Sequence, residues 1–182
     1  MAVAKKLLTA EEFWLLPEHR HAELIQGEMV DRMPTGGVPG DIASEINFIL
    51  RAWVKETGLG RVGQEAGFVV RQNPDQVRAP NVYFIRNERI PEGGVPQGFW
   101  QIAPDLVVEV ISPGDTAEAI KEKLEDYFGA GTSEVWLVYP KARQVEACSP
   151  SGVTQVFREA DILQSPDLLI GFSCKVVAIF QP

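Results

Sequence analysis

The sequence predicts an α/β (α+β) fold, with a mixed central sheet flanked by helices and extra strands at the C-terminal end, over one domain at 1–182. Three observations carry that reading. Residues 41–56 and 116–129 repeat apolar side chains at the 3.6-residue period of an amphipathic helix. Short β-rich runs lie between and after them. One run, Val107-Val108-Glu109-Val110-Ile111, is apolar on both faces around a single acid, as in a strand covered by helices on either side.

The elements follow in chain order. Thr9 and Glu12 form a capping-box pair, opening a short helix that ends near Pro17. AELI-QG-EMV reads as a hairpin, with Gly27 free to take a positive φ. PTGGVPG reads as loop. In 41–56, Ile42, Ile46, Ile49, Leu50, Trp53 and Val54 share one helix face, and Gly58 ends the helix. Strands are expected at GFVVRQ (67–72), VRAPNVYFIR (77–86) and QIAPDLVVEVIS (101–112), the last two joined by a Gly/Pro-rich loop. SPGDT is a turn and helix cap. The helix over 116–129 carries Ala119, Ile120, Leu124, Tyr127 and Phe128 as its apolar stripe, with Gly129 or Gly131 beyond its end. EVWLVYP (134–140) is a further strand, and QVEACSP, VTQVFRE and CKVVAIF form a β-rich tail with a turn at 149–152.

Composition narrows the function classes. A chain of 182 residues with 45% hydrophobic and 23% charged residues supports one buried core and is neither disordered nor fibrous. No window approaches the ~18 consecutive apolar residues of a membrane span, and MAVAKKLLTAEEF has no leader pattern. Cys148 and Cys174 form no CxxC pair, so a cytoplasmic protein without disulfide framework or zinc knuckle is expected. The net charge of −8 disfavours a general nucleic-acid binder, because phosphate neutralisation needs a basic face. GLGRVGQEAG lacks the lysine of a phosphate loop, and no Ser or Cys nucleophile arrangement is visible.

Candidate chemistry centres on APNVYFI (79–85) and APDLVVEVISP (103–113). Antiparallel pairing about a loop centred near Val95 sets residues opposite when their numbers sum to about 190. Asn81 then faces Glu109, and Ile85 faces Asp105. An acid flanked by Val107, Val108, Val110 and Ile111 is costly to bury unless it is paired, protonated or metal-bound. Asp105 shares its side of the strand but lies about 13 Å away, too far to share one ion. From the helix start near Thr116, seven residues bring Lys123 back by roughly 10 Å, level with Glu109. There it is placed to hold an attacking water or stabilise charge on phosphorus.

ELIQGEMV, APNVYFI, APDLVVEVISPGDT and EKLEDYFGAGTSEVWLVYP, in this order and spacing, resemble the large family of uncharacterised putative restriction endonucleases assigned to the PD-(D/E)XK nuclease superfamily. The likeness covers roughly residues 8–145. It implies a restriction-endonuclease-like fold and a Mg²⁺- or Mn²⁺-dependent hydrolase that cuts DNA phosphodiesters. Glu109 corresponds to the second acid, Lys123 to a lysine relocated to the helix, and Glu23 to a further acid near the site. The first acid does not carry over: Pro80 is followed by Asn81 where the pattern has Asp. The family's His at the start of the second helix is also absent, with Pro39-Gly40 in its place. An amide oxygen ligates a hard cation but lacks the carboxylate's charge, so weakened or lost activity is expected.

The residues also have plainer roles. Lys123 sits among Lys121, Glu122 and Glu125 on what would otherwise be a solvated helix face, and Asp105 suits a strand start or the surroundings of a site. His19 and His21 in PEHRHAE read as exposed helix-end residues, and Trp14, Trp53, Trp100 and Trp136 as core or interface. The rival to the endonuclease is a non-catalytic nuclease-like scaffold acting as an oligomeric binding protein. An apolar edge at CKVVAIF would pair chains into a homo-oligomer.

Overall fold

A computed structural model describes residues 6–32, 34 and 36–181. The leader reading of residues 1–5, and Thr35 of PTGGVPG, lie outside them. The helices are α1 (Ala10–Trp14), α2 (Gly37–Thr57), α3 (Ala117–Gly129) and α4 (Val176–Ile179). The strands begin with β1 (Ala22–Ile25), β2 (Glu28–Asp31), β3 (Gly60–Gly63), β4 (Phe68–Arg71), β5 (Gln76–Arg78) and β6 (Val82–Arg86). They continue with β7 (Leu106–Val110), β8 (Glu134–Tyr139), β9 (Gln144–Cys148), β10 (Thr154–Arg158), β11 (Ile162–Leu163) and β12 (Cys174–Lys175).

The main sheet has six strands in the order β10-β9-β8-β7-β6-β3. Only β7 and β8 run parallel, joined by the crossover helix α3. A second sheet orders β2-β1-β5-β4, and β11 with β12 forms a small ribbon. The mixed α+β architecture agrees with the fold class read from the sequence.

Strand alternation sorts the main sheet into two faces. Val82 and Phe84 of β6, Leu106, Val108 and Val110 of β7, and Trp136 and Val138 of β8 pack against Ile42, Ile46, Leu50 and Trp53 of α2. Leu163, Leu169, Phe172, Val176 and Ile179 complete that layer. Tyr83, Ile85, Val107, Val135 and Leu137 point the other way, against Tyr127 and the Ile120–Leu124–Phe128 stripe of α3. Position 109 therefore projects toward α3. The pairing of β6 with β7 has the expected register, Val82 opposite Val108 and Phe84 opposite Leu106.

Several local expectations fail for identifiable reasons. The run VRAPNVYFIR is two strands in two different sheets. Pro80 has no N–H for a ladder, so the chain leaves β5 and enters β6 across it. Residues 37–40 belong to α2 rather than to a loop, since a first-turn Pro39 loses no intrahelical bond. CKVVAIF forms only two strand residues and then one helical turn, with Val176 and Ile179 buried. A short apolar run does not distinguish a buried strand from a buried helix. The apolar edge strand expected to join chains is thus not formed.

Strand β3 was hidden by its glycines. Gly60 has the Ile85 carbonyl and the Phe84 ring, and Gly63 the Tyr83 ring, where a Cβ would stand. Gly60→Ala forces backbone against backbone. It is expected to cost about 2 kcal/mol, measured as a lowered urea midpoint at unchanged m-value.

Candidate active site

Glu109 stands at the centre of β7, 5% exposed, with both carboxylate oxygens engaged from α3. Lys123 Nζ donates to Oε2 at 3.0 Å, and the Tyr127 hydroxyl donates to Oε1 at 2.7 Å. Lys123 and Tyr127 are four residues apart and so share one helix face. Burial alone would lower the Lys123 pKa, but the charges of Glu109 and Glu23 outweigh it and raise it above the ordinary lysine value. Lys123 is therefore an ammonium at neutral pH. Burial, with Glu109 and Glu23 nearby, pushes the Tyr127 hydroxyl well above its usual range, so it remains a donor.

Asn81 lies on the same face, immediately before β6. Its Oδ1 accepts the Val110 N–H at 2.8 Å, and its Nδ2 donates to Glu65 Oε1 at 3.1 Å. An amide satisfies a backbone donor on one side and a carboxylate on the other. Glu65 Oε2 in turn pairs with Arg32 Nη1 at 2.9 Å. Burial would lower the Arg32 pKa, yet the charges of Glu65, Glu23 and Glu109 raise it above the ordinary value.

Glu23 of β1 enters from the second sheet. Its Oε1 accepts the Ala79 N–H at 3.0 Å and its Oε2 pairs with Arg78 at 2.9 Å. Arg78 spans from Glu23 to Asp126 of α3, binding Asp126 Oδ2 through Nη2 at 2.6 Å and Nε at 2.8 Å. Gln76 and Arg71 also donate to Asp126. Burial raises the Glu23 pKa, but Lys123, Arg78 and the Ala79 N–H together bring it below the ordinary value.

The sequence thus brought Glu109, Lys123, Asn81 and Glu23 to one region, and the structure gathers all four there. Asp105 is placed apart: its carboxylate accepts the Arg86 N–H at 2.9 Å and pairs with Arg86 and Arg89 at 2.8 and 3.1 Å. Tyr127 belongs to the apolar stripe of α3 in the sequence, although its spacing from Lys123 is a signal. Arg78, Asp126, Arg32 and Glu65 were not found. Only Arg78, a charge between Val77 and Ala79, carried any local hint. Trp53, Trp100 and Trp136 are buried as expected, whereas Trp14 is 38% exposed.

A hard divalent cation takes six or more oxygens, with carboxylates among them. Glu109 faces an ammonium on one oxygen and a phenol on the other, and Asn81 commits its oxygen to a backbone N–H. No group of three or more His, Cys, Asp or Glu suited to an ion occurs among the described residues. In this arrangement the residues do not fit Mg²⁺ or Mn²⁺.

Two stability predictions follow from the buried ions. Arg78→Met leaves Glu23 and Asp126 without their shared cation and should cost about 3–5 kcal/mol in urea unfolding. Glu23 has a depressed folded pKa, so its stabilisation is present above pH 4.5 and lost as pH falls through the folded value. The Glu23→Gln variant should therefore show a flatter acid limb below pH 4.5 in unfolding measured across pH.

A family model described as putative restriction endonuclease matches residues 10–177. Among solved structures, the chain is similar to one described as a putative nuclease belonging to DUF820 from Anabaena variabilis. The TM-score is 0.82 at 24% identity, covering 95% of this chain and 97% of that one. At that identity the likeness shows the fold alone. No curated protein matches. No helix among the described residues is long and apolar enough to cross a membrane.

Proposed function

The chain belongs to the Uma2 family of putative restriction endonucleases, and from that premise we propose a nuclease-fold protein that engages nucleic-acid phosphates through Lys123 and Arg32. Cleavage by it is held far below what a carboxylate at position 81 would support. One observation carries the reading: Lys123 sits 3.0 Å from Glu109, beside an Asn81 whose oxygen is already bound to the Val110 N–H.

Phosphodiester hydrolysis needs an activated water and positive charge where the phosphorane develops. The ammonium of Lys123 and the guanidinium of Arg32 supply the second requirement, and the planar fork of Arg32 suits a phosphate. The first requirement is not met. Lys123 holds its proton too tightly to take one from water, and the residues around Glu109 and Asn81 do not hold an ion that would acidify it.

A second reading, the non-catalytic scaffold, is favoured by the pairing of each acid of the group with a cation: Glu109 with Lys123, Glu65 with Arg32, and Glu23 and Asp126 with Arg78. The two readings part at one substitution. Asn81→Asp sets a carboxylate against Glu65 Oε1, where the amide now donates at 3.1 Å. In EDTA that variant should lose about 1–3 kcal/mol of stability. Mn²⁺ should restore its Tm and raise nicking of plasmid DNA at least about tenfold above the natural chain. A variant that neither recovers its Tm in Mn²⁺ nor nicks DNA leaves the scaffold reading in place.

A further inference from the structure

Beside the Glu109 group opens a groove of about 420 Å³. Its inner end is formed by Arg32, Glu65 and Ala79, all bonded to members of that group. Its outer end is aromatic. Trp14, 38% exposed, stands 4.5 Å from the His19 ring and 5.2 Å from Phe99, centroid to centroid. Arg20 is exposed at the rim, and its guanidinium makes no hydrogen bond or ion pair among the described residues.

The groove therefore combines a flat π surface, a free cation at its mouth and a second cation at the depth of the Glu109 group. Small-ligand cavities run from about 300 to 1,000 Å³, so this one takes a single nucleotide. A double helix is a poor match. Duplex binders neutralise six to ten phosphates, roughly, and the groove offers two guanidiniums in a chain of net charge −8. An unpaired strand needs fewer phosphate contacts, because stacking on aromatic side chains supplies affinity that no cation has to provide.

We infer that the groove between Trp14 and Arg32 binds one nucleotide of an unpaired nucleic-acid strand, its base against the Trp14–His19 edge and its phosphates between Arg20 and Arg32. The inference rests on the nucleic-acid reading above and names the form of the ligand, an unpaired strand. The acidic chain then has no need of a basic face, since the two guanidiniums of the groove meet the phosphates.

The test is fluorescence anisotropy of the full chain with a labelled thymidine decamer and with the same sequence as a duplex. The single strand is expected to bind at least tenfold more tightly. Two phosphates give a slope of log affinity against log salt of about −1.4. Arg20→Ala and Trp14→Leu should each weaken binding by about tenfold, and Lys141→Ala, outside the groove, should leave it unchanged. If Trp14→Leu does not fold, Arg20→Ala alone decides the matter. Equal affinity for duplex, a loss with Lys141→Ala as large as with Arg20→Ala, no effect of Arg20→Ala, or no binding of the decamer overturns the inference. The two readings fail separately. Mn²⁺-dependent nicking by Asn81→Asp with no Arg20 effect removes the groove and keeps the nuclease scaffold. Arg20-dependent decamer binding without nicking by Asn81→Asp keeps the groove and removes the nuclease.

Discussion

A carboxylate buried in the middle of the central strand sets the terms for everything around it. Glu109 lies between Val108 and Val110, whose side chains face α2, so its own must face α3. There the helix answers with an ammonium and a phenol one turn apart. Such a buried pair is no general source of stability, since apolar residues of similar volume often do as well. Removing one partner, however, leaves the other charged and desolvated. The pairing therefore fixes the rotation of α3 over the sheet, and with it the positions of Asp126 and of the groups bound to it.

The same logic extends into the second sheet. Asp126 binds Arg78 of β5, and Arg78 binds Glu23 of β1, so the small sheet is locked to the face of the large one by ions rather than by continuous strands. Apolar packing joins the same layers: Phe68 and Val70 of β4 are buried with Tyr83 and Ile85 of β6 and Tyr127 of α3. The centre thus sits at a junction of two sheets, and the groove that opens there is lined from both.

What the sequence disclosed follows from what is local. Register between β6 and β7 needed only a loop midpoint and a period of two. The level of Lys123 needed only the rises of a strand and a helix. Those local rules are enough to place Asn81, Glu109 and Lys123 together. Arg78 and Asp126 depend on which sheet β5 joins, and a run read as one strand from Val77 to Arg86 hides that. Glu65 and Arg32 stand in connecting segments where charge is the default, and nothing in their spacing marks them. Tyr127 was visible at the right spacing, but a tyrosine in an apolar stripe gives no sign that its hydroxyl has a partner.

Asn81 is best understood through charge. Glu23, Glu65, Glu109 and Asp126 face Arg32, Arg71, Arg78 and Lys123, an even balance with an uncharged amide in the middle. A dication added to that set would be uncompensated, in a buried place where unbalanced charge is expensive. A phosphodiester, with one negative charge, leaves the set only one unit from neutral and brings its own oxygens to Lys123 and Arg32. With Asn81 in place, a phosphodiester alone would leave the set at −1, and a dication with it would leave +1. Only when position 81 carries a negative charge do a divalent ion and a phosphodiester balance together, so on the proposed function it is an Asp there, not the natural Asn, that completes the charge set for cleavage.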